Sequence, residues 1–152
     1  MEILNLATGD KQDKILEKLE MIAPADPFNT PGPKTLKAGT LQLGYFGHTP
    51  ASELITGTAL ASAIGLSAGT AQHSDDGWLK WIKDGKLMYV ARKPQRHTIS
   101  WDNIDARGAV FGTAMVTIGN MVFKVRLLTG GNANPATGAG GEWNIIMYGV
   151  HE

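Results

Sequence analysis

The residues able to do chemistry in this chain are thinly spread. His48, His73, His97 and His151 lie far apart, and none forms the short spacing of a metal-binding pair. The adjacent acids Asp75 and Asp76 could ligate a cation, but an acid pair just before a strand is more often a solvated loop. Asp102 and Glu142 would make an acid–base pair only if folding brought them together, and a first-turn helix acid already explains Asp102. There is no phosphate-cradling loop and no nucleophile elbow. Gly130, Gly131, Gly138, Gly140 and Gly141 lack the strand–turn–helix context of a dinucleotide fingerprint. The chain has 0 cysteines, which removes thiolate catalysis, disulfides and zinc–thiolate sites and fits synthesis in a reducing cytosol. The expectation is a non-enzyme with no cofactor and no metal.

Recognition remains. Trp78, Trp81, Trp101 and Trp143 could stack on sugar rings, though burial in a core is the simpler expectation for each. The strand-like end 125–129 runs into a loop of Gly, Asn, Ala and Pro over 130–141, and Glu142-Trp143-Asn144 brings the chain back to an apolar close. Loops of this length are usually functional or flexible. Asn132, Asn134, Thr137, Glu142 and Asn144 are therefore the candidate ligand or partner residues, with Trp143 read as the anchor that returns the loop to the core. Arg92, Lys93 and Arg96 around Pro94 could touch phosphate or an acidic partner, and a solvated loop explains them as well. Basic and acidic residues both total 14, so there is no overall field to draw nucleic acid or an anionic membrane.

The positioning elements follow from periodicity and punctuation. An alternating run at 41–46 opens the body. Pro50 suits a helical turn after Thr49, and Thr58 is placed to cap a short helix over 59–64 that Gly65 ends. Two strand-like runs, 78–83 and 86–91, flank Asp84-Gly85, the strongest short-range hairpin signal in the chain. Ser100 caps the next helix, with Asp102 in its first turn and Ile99 stapled onto Ile104, and Gly108 ends it. A second hairpin pairs 115–118 with 121–128 around Gly119-Asn120, its second arm turning Met121, Phe123, Val125 and Leu127 to one face. The two hairpins are expected to share one core with helices set against the sheet.

Residues 1–23 form a separate helical anchor. Asp10 or Asp13 caps it, and Ile15, Leu16, Leu19 and Ile22 make an apolar stripe that must pack on its own domain, on copies of itself or on another protein. So short a helix is marginal alone in water. The prolines at 24, 27, 31 and 33 make 24–40 a stiff linker to the body at 41–152. No stretch is long and apolar enough for membrane insertion, and Met1-Glu2-Ile3-Leu4 lacks the basic start of a signal peptide.

Three fragments carry a family resemblance: His97-Thr98-Ile99-Ser100-Trp101-Asp102-Asn103, Arg126-Leu127-Leu128-Thr129 and Gly141-Glu142-Trp143-Asn144. Together they resemble the formylglycine-generating-enzyme branch of the C-type-lectin-like fold. There a Ser-Trp-Asp helix start precedes an Arg-Leu-Pro-Thr strand end and a Glu-Trp helix. With Leu43-Gly44-Tyr45-Phe46, Gly77-Trp78-Leu79-Lys80 and Lys93-Pro94, the chain looks like a group of tailed-phage virion structural proteins that join a short N-terminal segment to such a domain.

The resemblance implies an α+β body of antiparallel hairpins with short helices and C-type-lectin-like topology. It also implies a non-enzymatic head, collar or tail component, located in the virion and made in host cytoplasm. The implied partners are other virion proteins, further copies of the chain as a homo-oligomer such as a trimer through the 15–22 stripe, and a host-surface glycan. A soluble glycan-binding module is the alternative. Without cysteine the sulfatase-modifying activity is not expected. Trp143-Asn144 is followed by Ile145, and Asn134-Pro135 is the nearest approach to Glu-Pro-Asn, so calcium-dependent sugar binding is not expected either.

Overall fold

Asp84 and Gly85 adopt φ of 51° and 71°, the left-handed pair that a tight two-residue hairpin requires. The hairpin they turn is the centre of the molecule. The computed structural model describes residues 26–131 and 141–150. In chain order the strands are β1 (Ala38–Gly39), β2 (Leu43–Thr49), β3 (Thr70–Ala71), β4 (Trp78–Lys83), β5 (Lys86–Ala91), β6 (Arg96–His97), β7 (Ala114–Ile118) and β8 (Met121–Val125). The α-helices are α1 (Gly57–Ala63), α2 (Trp101–Asp105) and α3 (Glu142–Val150). The main sheet has the order β1-β2-β4-β5, antiparallel throughout. β3 pairs with β6 and β7 with β8 as separate two-stranded sheets. The architecture is α+β, antiparallel sheets with short helices.

Alternation along the strands gives the main sheet two dissimilar faces. Leu79 and Trp81 of β4 pair with Val90 and Met88 of β5, and Tyr45 of β2 lies opposite Trp81. These side chains pack with Leu128 and with Ile146 of α3, which is only 1% exposed, to form the core. The other face carries Trp78, Lys80 and Tyr89.

Residues 26–40 lie on that second face. The expected stiff spacer is a packed strap. Phe28 meets Phe46 edge-on with centroids 6.0 Å apart. The Lys80 ammonium donates to the Pro33 carbonyl at 2.8 Å, and the Tyr89 hydroxyl donates to the Pro31 carbonyl at 2.7 Å. Gly32 N–H donates to Glu53 Oε2 at 3.2 Å, and Lys37 N–H to the Tyr45 carbonyl at 2.7 Å. Proline removes amide donors but leaves every carbonyl, so a proline-rich segment can still be bound by side-chain donors. The anchor stripe Ile15, Leu16, Leu19 and Ile22 lies outside the described residues.

Three local expectations are revised. α1 starts at Gly57 because Thr56, not Thr58, caps it, accepting from Ala59 N–H at 3.1 Å; the Thr58 hydroxyl pairs with Ser74 Oγ at 2.8 Å instead. β8 ends at Val125 because residue 127 leaves the ladder to donate to the Val110 carbonyl at 3.3 Å. Burial is found for Trp78 and Trp81 only: Trp101 is 52% and Trp143 48% exposed. Trp143 therefore does not anchor the loop to the core; Ile146 does. α2 is capped as expected, with a reciprocal Ser100–Asn103 capping box, and Gly108 at φ 68° follows it. The two hairpins meet where Tyr89 and Phe123 pack edge-to-face at 5.9 Å. Among the described residues no helix is long and apolar enough to cross a membrane.

Candidate functional site

A cleft of about 280 Å³ opens between the start of α2, the turn that follows it and residues 126–130. Trp101, Val110, Phe111, Leu127, Leu128 and Thr129 line it, with Arg126 and Gly130. Trp101 comes from the first position of α2, held there by the Ser100 cap. Phe111 sits in the turn after α2 and is 77% exposed. Its ring meets Trp101 at 6.0 Å and 73°, an edge-to-face pair open to solvent. Exposed aromatic surface beside polar groups is typical of a binding surface rather than of an ordinary monomer surface.

One lining residue, Arg126, joins residues 126–129 to the start of α3 through an ion pair. Arg126 donates two bonds to the Glu142 carboxylate, each 2.6 Å. Glu142 Oε2 also accepts from Thr129 N–H at 3.0 Å, and Glu142 N–H donates to the Thr129 carbonyl at 2.8 Å. Two parallel guanidinium–carboxylate bonds are the strong, geometrically specific form of this contact. The Arg126 hydrogen bonds hold the Glu142 carboxyl below the usual carboxylate range, and the same pair raises Arg126. Glu142 is thus ionised at neutral pH and committed to a clamp, so it is poorly suited to act as a general acid. It also occupies the first turn of α3, where a negative charge suits the helix dipole.

The five loop candidates therefore divide. Glu142 is the clamp. Asn144 is buried, so its side chain faces the interior rather than a ligand in solvent. Asn132, Asn134 and Thr137 lie outside the described residues. The basic cluster is largely spent on structure. The Arg96 guanidinium donates to the carbonyls of Ala68 and Gly69, both at 2.8 Å, and Lys93 Nζ pairs with Asp76 at 3.0 Å. Lys93 holds the Asp76 carboxyl below its ordinary value, and His73 Nδ1 stands 3.4 Å from the same oxygen. Among the described residues no group of three or more His, Asp or Glu could hold a metal ion.

Sequence reasoning did not single out Phe111, which follows Ala109 and Val110 and precedes Gly112 without any motif. Arg126 and Glu142 were both visible as motif residues, but their pairing was not. No protein-family model matches the chain, and neither a curated protein nor a solved structure matches it.

Proposed function

We propose that this protein is a non-enzymatic structural component of a tailed-phage virion. In this reading it attaches to the particle by its N-terminal segment and presents a C-type-lectin-like body toward the host surface. One observation carries the reading. The three fragments that resemble the lectin-like family, separated in sequence, converge on one place. Trp101, Arg126 and Thr129 all line the cleft, and Glu142 clasps Arg126. A committed ion-pair clamp beside aromatic rings open to solvent suits adhesion better than catalysis.

Deleting residues 1–23 tests the attachment. Particles assembled with the truncated chain should lack the protein; normal occupancy would refute the N-terminal anchor. The exposed Trp101–Phe111 pair favours one second reading, a soluble glycan-binding module, because an aromatic face can stack on the C–H face of a sugar ring. That reading requires saturable binding of the purified chain to host polysaccharide, weakened at least tenfold by Trp101→Ala and reduced by changing Asn132 or Asn134. Binding of that kind by a chain that never enters particles would favour the module over the virion component.

A further inference from the structure

Lys80 is a lysine at the centre of the main sheet with none of its surface exposed. What covers it is the strap of residues 26–37. Its ammonium reaches the Pro33 carbonyl at 2.8 Å and the Thr30 carbonyl at 3.4 Å and lies 5.2 Å from the centroid of the Phe46 ring. The neighbouring strap residue Lys34 also donates to the Thr30 carbonyl. Taking a cation out of water costs free energy even where carbonyl dipoles and an aromatic face help to hold it.

We propose that residues 26–37 form a proton-linked strap, seated most firmly on the sheet when Lys80 is uncharged and lifting more readily when Lys80 carries its proton. The inference does not depend on the virion reading.

The charges around Lys80 set its direction. On the strap, Lys34 is a like charge that disfavours the ammonium, Asp26 an opposite one that favours it, and Lys37 lies over Gly47, the register partner of Lys80. From β5 comes the Tyr89 phenol, bound to the Pro31 carbonyl, and from the turn after β2 comes Glu53, bound to Gly32 N–H. Burial is the largest influence, and with Lys34 it pushes Lys80 down from 10.5 to about 8. A lysine under a lifted strap regains water and its ordinary value. The lifted form then binds more protons than the seated form between those two values, so seating strengthens as pH rises through that window. Between pH 7 and 9.5 the seated-to-lifted ratio should rise roughly 25-fold. Burial also raises the Tyr89 hydroxyl above its ordinary 10.0, so its bond to Pro31 persists across that range.

Amide hydrogen exchange of the full chain tests the strap. The Gly32 and Lys37 amides are bonded only when it is seated on Glu53 and Tyr45. After correction for intrinsic exchange, their protection should rise roughly 25-fold from pH 7 to 9.5 in the native chain and stay flat in Lys80→Met, while the β4–β5 amides hold steady in both. Tyr89→Phe should lower strap protection at every pH and keep the slope. A flat native profile, or the same slope in Lys80→Met, overturns the proposal. Should Lys80→Met not fold, the NMR titration of the Lys80 side chain in the native protein decides: a midpoint near 8 supports the strap, and one near the ordinary lysine value overturns it.

Discussion

Arg126 and Glu142 show how one pair of side chains can organise a site without reacting in it. Their bonds join the strand end to the first turn of α3 and fix the width of the loop base. The Glu142 side chain is nearly buried and that of Arg126 two-thirds buried, so solvent weakens the pair only in part. Removing the charge by Glu142→Gln should lower stability in urea at pH 7 by about 1.5–3 kcal/mol. The pH dependence has a definite sign. Glu142 sits below its ordinary 4.5 in the folded chain, so its contribution is complete above that value and is lost as pH falls below it. The gap between native chain and Glu142→Gln should therefore narrow on acidification. A gap that stays constant down to pH 3 would mean that the charge is not what stabilises the clamp.

At the scale of the element, the β4–β5 hairpin depends on its turn. Gly85 stands at φ 71°, and an added Cβ would meet nothing within 4 Å. Gly85→Ala therefore isolates the backbone cost of a left-handed residue and should destabilise by about 1 kcal/mol. Gly77 differs. It too has positive φ, 76°, but its Cβ would lie 2.5 Å from the Thr49 carbonyl oxygen, which is backbone and cannot step aside. Gly77→Ala should cost clearly more than Gly85→Ala in the same urea titration, and equal costs would contradict the packing described at the start of β4. The hairpin signal was legible because turn chemistry is local. The α1 cap was misplaced by two residues because Thr56 and Thr58 are equally good caps in sequence, and only the position of Ser74 decides between them.

For the whole molecule, the important joint is between α3 and the sheet. Ile146 fills the core with Trp81 and Val90. Ile146→Ala should cost about 2–5 kcal/mol, through lost burial and the cavity left behind. Because α3 also carries Glu142, loosening the helix should loosen the clamp. Arg126→Ala should then be less damaging in the Ile146→Ala background than in the native chain, a non-additivity that a double-mutant cycle measures. Strict additivity would mean that core and clamp are independent. Lys80 is the opposite case at the same scale. Its ammonium fastens the strap to the sheet through the Pro33 carbonyl, a polar joint where α3 makes an apolar one.

Sequence alone determined the α+β character, both hairpins and the α2 cap, because periodicity, turn chemistry and capping act within a few residues. Only the tertiary structure decided which tryptophans are buried, since Trp78 and Trp81 lie within the main sheet while Trp101 and Trp143 sit at helix starts facing solvent. It alone turned the proline-rich linker into a strap, because its carbonyls are bound by Lys80 and Tyr89, about fifty and sixty residues further on. It alone joined Arg126 to Glu142 across the loop. Each of these outcomes depends on contacts between residues distant in sequence, and no local pattern encodes which distant partner a side chain will meet.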